Sequence, residues 1–116
     1  MTVNASGYLI PFTAYVLNSD PNDVTPGGWV GGNNLRLSSA PKAPMAAART
    51  INTLRVSGAA VDLGGNALTL EAGGLMCSYS STLTASISNG FLRVGDSVPD
   101  LVVHGSGDLN VAARIE

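Results

Sequence analysis

Between Leu54 and Leu109, aliphatic residues recur at intervals of 7, 7, 7, 8, 9, 9 and 8 positions. Most of them open or close an apolar–polar–apolar triplet, for example Leu68-Thr69-Leu70. A period of two is typical of strands, and Gly, Ser, Asn and Asp in the gaps turn a chain at little steric cost. The spacing therefore predicts many short strands, each followed by a turn. The recurring residues are Leu54, Val61, Leu68, Leu75, Leu83, Leu92, Leu101 and Leu109.

Short strands with glycine-rich turns are also found in β-sandwiches and barrels. Strands of those folds recur about every 8 to 12 residues and are about 5 to 6 residues long, longer than the runs present here. Hairpins also favour Asn-Gly or Asp-Gly turns, and Asn89-Gly90 is the only such pair in the chain. Three successive intervals sum to roughly 22 to 25 residues, a plausible coil for a repeat protein. The sequence therefore predicts an all-β fold, a parallel β-solenoid with three short strands per coil.

The repeat is also visible as sequence similarity. The segment Asn34-Leu35-Arg36-Leu37-Ser38 reappears further along the chain as Thr53-Leu54-Arg55-Val56-Ser57. Residues 67–70 and 91–94 share a centre of Leu, a polar residue and an apolar residue. Successive coils of a solenoid place like residues above like, so we expect leucine to stack on leucine and outward Arg or Thr to form a surface row. The alternative is that a strand-rich chain produces such triplets by chance.

The N-terminal third of the chain lacks the regular spacing. We expect residues 1–34 to form a strand and loop region, a possible cap, and residues 35–116 to form the coils, with a loop insertion at 38–50. Trp29 lies between two glycine pairs. It is predicted either to cover the apolar end of the solenoid as a lid or to offer a platform on which a sugar ring stacks.

Composition limits the partners of the chain. Its 116 residues suit one domain, and charged residues make up 12%, against about 25% in typical soluble domains. Six basic and eight acidic residues give a net charge of −2, which provides no field to attract nucleic acid. No apolar run approaches the roughly 20 residues that span a membrane, so no membrane insertion by this segment is expected. The single cysteine, Cys77, is predicted to be a small apolar filler of the core.

No catalytic motif stands out, so no enzymatic role, cofactor or metal is expected. The only histidine, His104, is predicted to face outward or to lie near a turn, although Ser106 and Asp108 follow it closely. The segment 18–23 resembles a calcium loop only distantly and is more typical of a plain turn. A polysaccharide-cleaving enzyme would need paired carboxylates. The candidate carboxylates are Asp62, Glu71, Asp96, Asp100 and Asp108.

The order of segments in the second half resembles the β-helical passenger regions of autotransporter-like bacterial surface proteins. The resemblance is carried by residues 50–56, by 61–70 with Gly73-Gly74-Leu75, and by 87–92, 101–104 and 107–111. It covers slightly more than half of the chain. It implies a right-handed parallel β-helix, export to the cell surface, and a structural or adhesive role without cofactors.

The expected function is that of a structural or adhesive segment of an extracellular β-solenoid, assembling end to end into fibres or forming part of a longer surface protein. Coil ends expose unpaired backbone and apolar side chains unless they are capped, so we expect self-association end to end or contact with neighbouring coils of a parent chain. The alternative is a carbohydrate-binding or phage-fibre-like module that binds glycans through Trp29, Tyr8 and Tyr15.

Overall fold

The computed structural model describes residues 2–3, 9–10, 15–37, 43–78, 85–96, 100–105 and 109–116. These residues form short strands and turns, and none of them is helical. The strands are β1 (Thr2–Val3), β2 (Leu9–Ile10), β3 (Val16–Leu17), β4 (Asn34–Leu37), β5 (Arg49–Ser57), β6 (Ala60–Asp62), β7 (Ala67–Ser78), β8 (Ala85–Ser88), β9 (Phe91–Val94), β10 (Val102–Gly105), β11 (Leu109–Val111) and β12 (Arg114–Ile115).

Apart from β1 and β2, which pair antiparallel, every strand pairing in the described residues is parallel. The parallel strands stack on three faces. The first face holds residues 49–51 of β5 and 67–70 of β7, followed by β9 and β12. The second face holds β3, β4, residues 53–57 of β5, residues 74–78 of β7, and β10. The third face holds β6, β8 and β11.

The chain visits the three faces in a fixed order, and each circuit lies directly on the one before it. The result is a parallel β-solenoid of about four turns, which confirms the predicted fold class. Strands β5 and β7 run through the corner between the first and second faces, with a shift in register between Ile51 and Thr53. The recurring residues Leu54, Val61, Leu68 and Leu75 therefore mark one inward position on each successive face.

The pairing register confirms both repeats seen in the sequence. Residues 34–37 lie opposite residues 53–56, so Leu35 pairs with Leu54 and Arg36 with Arg55. Residues 67–70 lie opposite 91–94, so Leu68 pairs with Leu92. Like residues thus stack on like across neighbouring coils.

The core is a column of aliphatic side chains inside the coils. Cys77 is buried in it, as predicted, and the described residues bury no polar or charged side chain. Leu101 and Leu109 pack against the column from partly buried positions, and Leu83 lies outside the described residues. The buried members of the column are Trp29, Leu35, Leu37, Met45, Ile51, Leu54, Val56, Ala59, Val61, Leu63, Leu68, Leu70, Leu75, Cys77, Ala85, Ile87, Leu92 and Ala113.

Irregular segments complete the first coil. The Met45 amide donates to the carbonyl of Asp62, so this part of the chain lies along β6 on the third face. The Asn52 amide donates to the carbonyl of Asn33 in the same way near the first face. The parallel stack therefore already includes Val16–Leu17, upstream of the position where the sequence placed the first coil.

The loop expected at 38–50 differs from the structure in two respects. Met45 is buried in the core, although it falls within the predicted loop insertion. Arg49 and Thr50 belong to β5, where they pair with Leu68 and Thr69. The burial of apolar surface explains the first difference, because a flexible thioether fills the irregular space above β6.

Close backbone packing fixes the corner between the third and first faces. Gly64 has a φ of 62°, in the left-handed region that glycine adopts without strain. A Cβ at this position would also collide with the carbonyl oxygen of Met45. The Asn66 side-chain amide donates to that same oxygen at 2.9 Å, which links two successive coils at the corner.

Replacing Leu68 with alanine tests the column. Leu68 is fully buried between coils, so we expect Leu68→Ala to lower the free energy of unfolding by about 2 to 5 kcal/mol. Leu17, which is 64% exposed, is the matched control. Leu17→Ala should change the free energy of unfolding by less than about 0.5 kcal/mol. Urea denaturation followed by circular dichroism measures both, and equal losses at the two positions would contradict the inward placement of Leu68.

Candidate functional site: a lateral groove and an open coil

Trp29 lies inside the first coil. Its side chain is 1% exposed, and the indole N–H donates to the carbonyl of Asn18 at 3.2 Å. Stacking on a sugar requires an exposed ring face, so this burial fits a lid better than a platform. Tyr8, the second aromatic residue expected to bind a ligand, lies outside the described residues.

Side chains of the first coil's turns hold the chain around Trp29 in place. Asn18 accepts from the amide of Asp20 and donates to the carboxylate of Asp23. Asp23 in turn accepts from the amide and the hydroxyl of Thr25. The oxygens that a calcium loop would need therefore take part in local turns, and the described residues contain no cluster of three or more His, Cys, Asp or Glu that could hold a metal.

Tyr15, the third predicted ligand residue, lies on the outer side of the second face. The Arg55 guanidinium lies over its ring, 5.6 Å from the centroid, within the range of a cation–π interaction. This contact holds a cation and an aromatic side chain together beside β3, β4 and β5.

Two rows of outward side chains run across the second face. One row consists of Leu17, Arg36, Arg55, Met76 and His104, which lie opposite one another in successive strands. The other row consists of Asn34, Thr53, Gly74 and Val102. Neighbouring strands lie about 4.8 Å apart, so each row presents side chains at that spacing.

A groove opens where the second row lacks a side chain, at Gly74. It has a volume of about 80 Å³, smaller than the roughly 300 to 1,000 Å³ of pockets that enclose a small molecule, so it suits part of a ligand that lies on the surface. The Thr53 hydroxyl donates to the side-chain oxygen of Asn34 at 2.7 Å, which fixes one wall. The groove is lined by Tyr15, Thr53, Leu54, Gly74, Leu75, Met76, Val102 and His104.

Asp62 and Glu71, two of the candidate carboxylates, lie at different corners of the solenoid. Asp62 accepts hydrogen bonds from the Gly64 amide and the Asn89 side chain at a corner of the third face. Glu71 accepts from the Gly32 amide at the corner where β7 turns between faces. Asp96 and Asp100 are exposed, and Asp108 lies outside the described residues.

The two ends of the stack differ in the exposure of inward residues. At the N-terminal end, Val16 of the edge strand β3 is half-buried, while Leu35 opposite it and Met45 on the third face are fully buried. In the last coil, Val103 is 52% exposed and Ile115 is 58% exposed, although they lie opposite the buried residues Leu75 and Leu92. Within the described part of the chain, no strand pairs with the far edges of β10, β11 and β12. We call these three strands the open coil.

Sequence reasoning predicted part of this site. It expected an outward row of Arg or Thr and an outward or turn-proximal His104, and the structure places Arg36 and Arg55 in one outward row and His104 at the groove. The ligand role expected of Tyr15 stays a prediction. Sequence reasoning did not identify the recess at Gly74. Aligning Leu54 with Leu75 in the sequence places Gly74 opposite Thr53 and would have located this recess.

Comparisons of the chain with family models, curated proteins and solved structures found no match. Among the described residues, no helix is long and apolar enough to span a membrane.

The burial of Trp29, the only tryptophan, predicts both a stability effect and a spectroscopic one. Trp29→Ala should lower the free energy of unfolding by about 3 to 5 kcal/mol, because it leaves a cavity inside the first coil. Trp29→Phe keeps most of the volume and should cost about 1 to 3 kcal/mol, since the Asn18 carbonyl loses its donor. Acrylamide should quench the native fluorescence weakly, and quenching as strong as in the unfolded chain would contradict the buried position.

Proposed function

We propose that this chain is a structural or adhesive segment of an extracellular β-solenoid and that a further coil covers its open coil. The observation that carries the proposal is the exposure of inward aliphatic residues at one end of the stack. Val103 lies in line with Leu35, Leu54 and Leu75, and Ile115 lies in line with Leu68 and Leu92; all five of these residues are buried. Partly buried Leu109 and Val111 hold the equivalent positions on the third face.

A coil is the occupant that fits this end best. Its three edge strands present backbone donors and acceptors on three faces at once, and such edges favour the addition of strands. A covering coil would pair with these edges and bury the four aliphatic side chains together. In repeat proteins, neighbouring units supply this cover.

The covering coil would come from a parent chain or from a second copy. The other end is a less suitable partner, because the inward residues Leu35 and Leu37 of β4 are already buried together with Trp29 and Met45. Copies of this chain would therefore meet open coil to open coil and stop at a dimer.

The extracellular role is supported by composition and by the resemblance to autotransporter-like passengers. Charged residues are sparse, and the turns are built from Ser, Asn, Asp and Gly. Asn66 and Asn89 hold corners together through hydrogen bonds to neighbouring coils. A rigid column of this kind suits a protein that spaces or displays surfaces outside the cell.

The state of association tests the proposal. We expect the chain to sediment as a dimer at high micromolar concentration, and Val103→Lys to shift it to a monomer, because a lysine in the covered column would bury an unpaired charge. Val24, 57% exposed in the segment that surrounds Trp29, is the matched control, and Val24→Lys should leave the dimer intact. Sedimentation velocity over a concentration series measures all three proteins.

Circular dichroism must show the same strand signal in the three proteins. A wild-type chain that stays monomeric at every concentration would overturn self-association through the open coil. A particle that grows without limit would contradict the closed state of the first coil, since head-to-tail growth requires both ends.

A further inference from the structure

The corner between the third and first faces contains the only Asn-Gly pair of the chain, Asn89-Gly90. Asn89 has a φ of 57°, the only positive φ at a non-glycine residue in the part of the chain that the structure describes. Asparagine tolerates this left-handed conformation better than most residues. A Cβ at Gly90 would collide with the carbonyl oxygen of Asn66 and with the Leu63 side chain. The fold therefore favours asparagine at the first position and requires glycine at the second.

The Asn89 side chain links two successive coils. Its Nδ2 donates to Oδ1 of Asp62 at 3.0 Å, and the Gly64 amide donates to the same oxygen at 2.8 Å. The backbone of the turn is held as well, because the Gly65 amide donates to the Asn89 carbonyl at 2.7 Å. An ionised carboxylate can only accept hydrogen bonds, so the contact with Asp62 requires a donor at position 89.

An Asn-Gly pair can undergo a reaction that needs only water. The backbone nitrogen of Gly90 attacks Cγ of Asn89, and the side-chain nitrogen takes up the Gly90 amide proton and leaves as ammonia. The product is a five-membered succinimide ring. Water then opens the ring at either of its carbonyl carbons, which gives aspartate or isoaspartate. Glycine favours the attack because no Cβ shields its nitrogen.

The folded corner holds the reacting atoms apart. For a non-glycine residue with this φ, ψ is confined to about +30 to +60°, which places the Gly90 nitrogen on the far side of Cα from Cβ. Ring closure requires the peptide group between Asn89 and Gly90 to rotate. That rotation breaks the hydrogen bond from Gly65, and the Asn89 side chain must also leave Asp62. The reaction therefore requires the corner to open.

We propose that Asn89 is a site of spontaneous deamidation, gated by the opening of this corner, and that its conversion loosens the stack irreversibly. Aspartate at position 89 would place a second carboxylate within hydrogen-bond distance of Asp62. Like charges at this separation repel each other, and the donor that links the two coils is lost. The corner would then close less tightly than before the reaction.

The same turn also contacts the open coil. The Arg114 amide donates to the Gly90 carbonyl at 2.9 Å, and the Ala113 amide donates to the Ile87 carbonyl at 3.1 Å. Isoaspartate adds an atom to the main chain, so the turn would no longer match the hydrogen-bond spacing of the coils on its two sides. Conversion would therefore weaken the hold on the open coil. The reaction itself needs only the turn and water, so it does not require a further coil on the open coil.

Ageing the folded chain in neutral buffer and mapping its peptides by mass spectrometry tests the inference. We expect aspartate and isoaspartate to accumulate at Asn89 before they accumulate at Asn110, an exposed asparagine followed by the branched Val111. In urea the rate at Asn89 should rise at least about tenfold, because the hydrogen bond to the Asp62 carboxylate disfavours the open corner by about this factor. Asp62→Ala should accelerate the reaction in the folded chain for the same reason.

Substitutions that copy the product test its consequence. Asn89→Asp should lower the melting temperature by about 3 to 8 °C, since it replaces a hydrogen bond to a charged group with a repulsion. Asn89→Gly keeps the positive φ without adding a charge, so it should lower the melting temperature less. Asp62→Asn combined with Asn89→Asp exchanges donor and acceptor and should recover most of the loss. Thermal melts followed by circular dichroism measure all four proteins, including the wild type.

Several results would overturn the inference. Conversion at Asn89 no greater than at Asn110, or equal rates at Asn89 in the folded and the urea-unfolded chain, would contradict the gated site. A melting temperature unchanged by Asn89→Asp, or a double variant no more stable than Asn89→Asp alone, would contradict the contact with Asp62 as its consequence. Each measurement is repeated on Val103→Lys, so the outcome is separate from that of the proposed self-association.

Discussion

The structure depends on one constraint: each coil must lie in parallel register on the coil before it. Register fixes which residues face inward, because a slip of one residue along a strand turns every side chain to the opposite side. The second face shows how strictly this holds, with Leu35, Leu54, Leu75 and Val103 in one line. The spacing between these residues in the sequence increases at each step, so the corners and loops absorb the differences in coil length.

The same constraint explains the contrast between the ends. A coil in a column needs cover on both sides, and the first coil obtains it from irregular chain that brings in Trp29 and Met45. That cover uses side-chain hydrogen bonds of Asn and Asp in place of a regular ladder. The open coil lacks such a segment among the described residues, so Val103 and Ile115 remain exposed apolar side chains that a partner would cover.

The regular part of the fold could be predicted because its information is local. The triplets around Leu54, Leu68 and Leu92 specify strand, face and spacing together, and the repeat of residues 34–37 at 53–56 specifies register. The first coil could not be predicted in the same way. The burial of Met45 and the pairing of Arg49 depend on how distant segments close over β6 and β7, which no short pattern in the sequence encodes.

The candidate groove was predictable only in part, for a related reason. The outward row of Arg36 and Arg55 follows from the repeat, but the contact of Arg55 with Tyr15 joins β5 to the residue just before β3, two coils back along the chain. The position of His104 in the groove depends on the circuit from Met76 to His104, which is longer than the recurring spacing suggests. Sites on the outside of a solenoid are therefore harder to locate than its core, because an outward row holds different residue types in successive coils, as the row from Leu17 to His104 shows.

Cross-strand nuclear Overhauser effects in isotope-labelled protein test the central claim most directly. If the coils stack in parallel register, the backbone protons around Leu54 will show contacts to those around Leu35 on one side and Leu75 on the other, with the amide-to-Hα pattern of parallel strands. Close Hα-to-Hα contacts between sequential strands, such as β5 with β6 or β8 with β9, would reveal antiparallel hairpins and contradict the stacked solenoid.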